Sequence, residues 1–315
     1  MFRAIILYNQ YSQSDADIKY HNFKNLFKYV TNVDFDYLVI DNYNEGDWVI
    51  KRKVKETIIG GDNSYREFSG WTKGYKYILE QEQSYDFIVL SNDKYDINVD
   101  QYSVAINDPV FSLIKSENLV AGNFYFRNAL PRPLSYILFR PERYVINGNG
   151  SRYWVRSNFI ISSYKLWTKV DMCILRKEMF FTAQYNDLPF RQPSGISQLL
   201  QDRIINYLCP QGKYNAELTW HSRFVLGPKT FDLFVDKATA ILNELWLTMK
   251  LQKCKIQIVD FRLLAKLDNH KQISSWFIKY ILRFVKSKVN IQLWIVWWID
   301  KVVRFKYKIR RNIIH

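Results

Sequence analysis

The sequence predicts an α/β fold built on a mostly parallel central sheet flanked by helices, with a helical, basic and aromatic extension at its carboxyl end. Three observations predict it. Short apolar runs end in polar clusters, at residues 3–8, 37–40, 57–59 and 86–90. Segments with apolar residues at helical spacing separate these runs, and strands alternating with helices at this pitch pair in parallel through right-handed crossovers. The charge is lopsided: of a net +15, residues 271–315 carry eleven basic side chains against the single acid Asp300.

The elements follow in order. Residues 3–8 read as the first strand. Ile18, Phe23, Leu26, Phe27 and Val30 then keep helical spacing with lysines between them. The second strand, 37–40, is released into Asp41-Asn42. Residues 48–56 read as a short basic helix. The third strand, 57–59, ends in Gly60-Gly61, followed by a turn at Asp62-Asn63-Ser64 and a helix to about residue 82. The fourth, 86–90, releases Ser91-Asn92-Asp93. A helix over 101–115 and a strand over 119–126 come next. From 127 to 149, Pro131, Pro133, Pro141 and Asn147-Gly148-Asn149-Gly150 indicate a loop over the sheet edge. A strand over 154–162 and a helix over 164–170 follow. The irregular stretch 184–193 contains Asp187. Ser194 then caps a helix over 195–208, with Asp202 and Arg203 on its polar side. A helix over 230–249 leads into the basic region.

In an open α/β sheet, ligands bind outside the carboxyl ends of the strands. Asn63 and the pair Asn92/Asp93 would then face one crevice. A carboxylate flanked by an amide suits a divalent cation carrying a diphosphate. The plainer reading is two ordinary strand-to-helix turns, for which Asn and Asp are good formers and caps.

Cys173, Cys209 and Cys254 are isolated, without zinc or disulfide spacing, which suits a reducing compartment. The apolar run at 4–7 is too short for a signal-peptide core. No window reaches the ~18 apolar residues of a spanning helix. In the tail, Lys279, Arg283 and Lys286 share one helical face, and seven apolar residues, 293–299, include Trp294, Trp297 and Trp298. Trp and Tyr favour the headgroup level and Lys and Arg favour anionic lipid, as an in-plane interfacial anchor requires. Its membrane contacts would be Trp276, Lys279, Arg283, Trp294, Trp297, Trp298, Arg304 and Arg310. A helical hairpin packed on the domain is the structural alternative. A basic groove stacking single-stranded nucleic acid on its aromatics is another, but only the tail's charge favours it, and no nucleic-acid partner is expected.

Three strand-end signatures occur in order: Val39-Ile40-Asp41-Asn42, then Asn63-Ser64-Tyr65-Arg66-Glu67-Phe68-Ser69-Gly70-Trp71-Thr72-Lys73-Gly74, then Phe87-Ile88-Val89-Leu90-Ser91-Asn92-Asp93. The set resembles bacterial family 2-like glycosyltransferases of the GT-A fold, and most of all the rhamnan-synthesis and O-antigen polysaccharide enzymes. The likeness covers residues 3–96 well, 155–223 loosely, and not the tail. It implies a Rossmann-like GT-A transferase domain over 1–228, followed by a membrane-associating helical region over 229–315.

By that resemblance the donor is a nucleotide-diphosphate sugar, bound by Asp41 at the base, Asn63 and Arg66 near the ribose or diphosphate, and Asn92 with Asp93. Asp93 would hold Mg²⁺ or Mn²⁺, with His221 as a late metal ligand. Ser91 replaces the first acid of the usual pair. The family's general base lies just before a helix in the second half, where this chain has Pro193-Ser194-Gly195. Asp187, in a loop able to reach the crevice, is the first candidate for it and Asp202 the second; Asp202 also reads as part of a solvated helix face, and His221 as a structural histidine.

The function so implied is inverting transfer of a hexosyl or deoxyhexosyl unit, rhamnose by the nearest likeness, to a lipid-linked or membrane-embedded glycan. The site of action would be the cytoplasmic face of the inner membrane, with the anionic membrane surface as partner. The missing acids leave one alternative from another class: a non-catalytic GT-A-like partner in a glycan assembly complex.

Overall fold

The computed structural model describes residues 1–11, 15–99, 103–125, 143–151, 153–170, 174–186, 188–211, 223–261 and 263–264. Asp187, His221 and all the expected membrane contacts of the tail lie outside these residues. The described chain is an α/β fold on a mixed eight-stranded sheet.

The strands and helices run β1 (Phe2–Gln10), α1 (Ala16–Asn25), β2 (Val33–Glu45), β3 (Val49–Lys53), β4 (Glu56–Gly61), α2 (Glu67–Glu80), β5 (Phe87–Asn92), α3 (Asp108–Glu117), β6 (Leu119–Tyr125), β7 (Tyr144–Ile146), β8 (Asn149–Ser151), β9 (Trp154–Ser163), α4 (Tyr164–Val170), α5 (Gln198–Leu208), α6 (Phe231–Lys253) and β10 (Gln257–Asp260). The main sheet has the order β10-β6-β9-β5-β1-β2-β4-β3, and β7 with β8 forms a separate hairpin.

The central strands are apolar throughout because both faces are covered. Ala4, Ile6 and Tyr8 of β1 pack with Phe23 of α1 and with Phe111 and Ile114 of α3. Ile5 and Leu7 point the other way, into a cluster with Trp71 and Ile78 of α2, Trp167 of α4 and Leu247 and Leu251 of α6. A third cluster joins Tyr144 and Ile146 of the β7–β8 hairpin to α5 and to one side of α6 from Phe231 to Met249.

The sheet is less parallel than the sequence pattern implied. β1 pairs in parallel with β2 and β5, β2 with β4, and β10 with β6. β9 runs antiparallel between β5 and β6, and β3 antiparallel along β4. Residues 48–56, expected as a basic helix, contain β3 instead. Its five residues are all exposed, and lysines on an outer strand discourage pairing with another chain. Two helices begin later than expected. α3 starts at Asp108 after an Asn107 cap that accepts from Val110 N, with Pro109 fitted at the first turn. α5 starts at Gln198; Ser194, expected as its cap, instead accepts from Ile196 N and Gln201 Nε2 in the preceding loop.

Beyond residue 228, α6 packs on the sheet, with Thr248 Oγ1 accepting from Val155 N. β10 then closes the β6 edge. No helix among the described residues is long and apolar enough to cross a membrane.

Candidate functional site

The strands β6, β9, β5, β1 and β2 are consecutive in the sheet. Four of them point their carboxyl ends to one edge, and antiparallel β9 starts there. Each brings to that edge a buried polar side chain: Asn123, Asn158, Asp93 just after β5, Asn9 and Asn42. Five of their atoms find no hydrogen-bond partner: both amide atoms of Asn123, and one oxygen each of Asn158, Asp93 and Asn9; the Asn42 side chain faces the Tyr11 hydroxyl. Asn63 Oδ1, from an adjoining loop, is in the same condition as those five. Buried polar groups are nearly always paired. Unpaired side chains gathered along one edge can take a polar ligand or ordered water.

Local chemistry holds this row in place. Tyr11 N donates to Asp93 Oδ2 at 3.2 Å, leaving Oδ1 bare. Burial raises the Asp93 pKa, opposed by Lys94 and the Tyr11 N–H. Asn9 Nδ2 donates to the Glu67 carbonyl at 2.8 Å, tying β1 to the first turn of α2. Burial, then the Glu67 charge, push the Tyr11 hydroxyl well above its ordinary pKa, so it stays protonated.

Asn42 sits between two glycines. A Cβ on Gly61 would lie 2.7 Å from Asn42 Cα, and one on Gly70 3.0 Å from its Nδ2 and closer still to Asn9 Oδ1. Gly61→Ala is therefore expected to cost about 1–3 kcal/mol, because backbone rather than a mobile side-chain end must move. Urea denaturation measures it, and an unchanged midpoint would show that the strand ends relax freely. Arg66, ahead of α2, has φ 57° and ψ −138°, a strained conformation of the kind that gathers at ligand sites.

The residues expected from sequence divide. Asn63, Asn92 and Asp93 come to this edge, and Arg66 to the turn beside it. The Asn92 Oδ1 is occupied by Lys94 N at 3.0 Å. Asp41 is buried but spends much of its acceptor capacity on its own turn, taking Tyr43 N, Asn44 N and Asn44 Nδ2. Ser91, in place of the first acid, donates to the Asn158 carbonyl at 2.9 Å. Asp202 is exposed on α5 and accepts from Gln198 Nε2 at 2.7 Å.

Asn9, Asn123 and Asn158 were not singled out from the sequence. Their signal was there, an asparagine where an apolar strand meets this edge, but only the strand order assembles them. Glu67, the acid of the second sequence signature, was given no role of its own, and Glu244 on α6 was not singled out.

Among the described residues no three His, Cys, Asp or Glu side chains form a metal-sized group. The arrangement still fits a hard cation that arrives with its ligand. Mg²⁺ commonly takes one or two carboxylates and completes its shell with phosphate and water, and Asp93 offers a bare carboxylate oxygen. Comparison with protein-family models, curated proteins and solved structures gives no match.

Proposed function

We propose that this protein is a glycosyltransferase of GT-A type, moving a sugar from a nucleoside-diphosphate donor to a lipid-linked or membrane-embedded glycan in polysaccharide synthesis. The observation that carries the reading is the row of unpaired side chains at the carboxyl edge of the sheet, with Asp93 at its centre. A sugar and a diphosphate present many hydroxyls and anionic oxygens, and amide side chains offer both donors and acceptors to them. The ordered sequence signatures lie on the same strand ends.

In this reading Asp93 would hold a divalent cation, whose chemistry would be to neutralise negative charge on the departing diphosphate. Asn9 and Asn42 orient the donor over the edge, and Asn63 and Arg66 meet it from the turn before α2. The Trp-rich basic tail holds the crevice at the anionic cytoplasmic surface of the inner membrane, where a lipid-linked acceptor resides.

A thermal-shift panel of nucleoside diphosphates, with and without Mg²⁺ or Mn²⁺, tests the reading. One nucleotide is expected to raise Tm in the presence of metal, by the linkage of binding to folding. A well-folded sample that responds to none would refute donor binding and favour the non-catalytic partner, whose Ser91 replaces an acid.

A further inference from the structure

The transferase reading lacks a described group to remove the acceptor hydroxyl's proton. Two acids near the crevice meet that need. Ser157 Oγ touches Glu67 Oε1 and lies 2.6 Å from Glu244 Oε1, which also accepts from Ser157 N at 2.8 Å. A serine hydroxyl has one proton and donates to one acceptor. The second oxygen–oxygen contact is favourable when one of the two carboxyl groups is protonated, in line with the raised pKa of both acids.

The cluster lies at the same sheet edge as Asp93, and Tyr11 feels the charge of both Glu67 and Asp93. Ser91 of β5 pairs with Phe159 of β9, which puts Ser157 level with the residues just past the end of β5. Glu67 opens α2 and is tied to β1 through Asn9. Glu67 and Glu244 are part-exposed as residues, while burial of their carboxyl groups is the main cause of both raised pKa values. The unpaired Asn9 Oδ1 and Asn158 Oδ1 are independent signs of a polar ligand at this place.

We propose that Glu67 is the catalytic base of the sugar transfer, held in place by Ser157 and Glu244; this rests on the transferase reading above. The acceptor oxygen bonds to the sugar's anomeric carbon as its proton passes to the Glu67 carboxylate. The bond from that carbon to the diphosphate breaks, and its electron pair leaves on the diphosphate.

The charges around Glu67 set its pH behaviour. Burial, then Glu244 on α6, push it up to about 7, against the Ser157 hydrogen bond and Arg66. Glu244 is itself raised by burial and opposed by Ser157 and Arg156 of β9. Tyr11 faces Glu67 as a neutral phenol. A base must be ionised to accept a proton, so transfer is expected to fall as pH drops through about 7. Removing the Glu244 charge lowers the Glu67 pKa and moves this acid limb to lower pH.

The test uses the full chain, a panel of UDP-, GDP- and dTDP-sugars and bacterial lipid extract as acceptor. Glu67→Gln is expected to lower kcat about 10²–10⁴-fold, with Kd for the nucleoside diphosphate within threefold of wild type. Glu67→Asp is expected to retain more rate than Glu67→Gln, and Glu244→Gln to shift the acid limb downward. Infrared titration without substrate is expected to show a carboxyl proton leaving near neutral pH, absent in Glu67→Gln. A Glu67→Gln protein that binds nucleotide and transfers sugar within threefold of wild type overturns the base assignment and leaves the transferase reading standing. A wild type that binds no nucleoside diphosphate overturns both.

Discussion

Asp93→Asn is expected to yield a protein that melts at a higher temperature than wild type and transfers sugar about 10²–10³ times more slowly. Both effects come from the same oxygen. Asp93 is 1% exposed, and its Oδ1 has no partner. Burial raises its pKa, so the folded state binds the proton more tightly than the unfolded chain does. Its share of stability is then fully present below the unfolded pKa and lost as pH rises through the folded one. At neutral pH the ionised side chain is a burden, and a neutral isostere that can still accept from Tyr11 N relieves it. In the transferase reading, the same substitution would remove the anionic ligand for a cation that carries the diphosphate. Stability traded for a poised site is a recurring feature of enzymes. Calorimetry of the apo protein, with nucleotide thermal shift in Mg²⁺, reads both halves. Transfer within threefold of wild type would show that Asp93 holds no metal. A lower apo Tm would show that its carboxylate is structural.

How far this site was legible depends on what each residue does locally. Asn63 and Asp93 follow apolar strands and Asn92 ends one, so the sequence alone places them at strand ends. Asn9 and Asn158 lie within strands, and a lone asparagine there carries no sign of its neighbours. Only the order β6-β9-β5-β1-β2 brings them together, and antiparallel β9 reaches that edge by its amino end, which periodicity does not reveal. Glu244 is one acid in the 23-residue α6, and its meeting with Glu67 is a matter of packing between distant elements. The fold shows the same divide. β1, β2, β4 and β5 are buried on both faces and read as continuous apolar runs. β3 is an exposed edge strand rich in lysine and arginine, so its pattern imitates a basic helix. β10 has four residues, too few to stand out after the long apolar helix before it.

Neutralising Lys301, Arg304, Lys306 and Arg310 to Gln in the full chain is expected to weaken partitioning onto anionic vesicles about 10³-fold. Each basic residue near such a surface contributes about 1 kcal/mol, and about 4 kcal/mol corresponds to that factor. The tail supplies +10 of the net +15, so the remaining residues have little charge with which to replace it. Trp294, Trp297 and Trp298 act differently. Their rings favour the headgroup level whatever the lipid charge, so their replacement by alanine is expected to weaken binding to neutral and anionic vesicles alike, and in high salt as well as low. Transfer separates an anchor from a packed hairpin. An anchor raises the local concentration of an acceptor confined to the bilayer, so both sets of substitutions should lower transfer to vesicle-bound acceptor and spare transfer to a soluble acceptor mimic. Equal loss on both acceptors would mean that the aromatic and basic residues support the fold. Unchanged vesicle binding, with steeply salt-dependent binding to single-stranded nucleic acid, would assign the tail to a different partner.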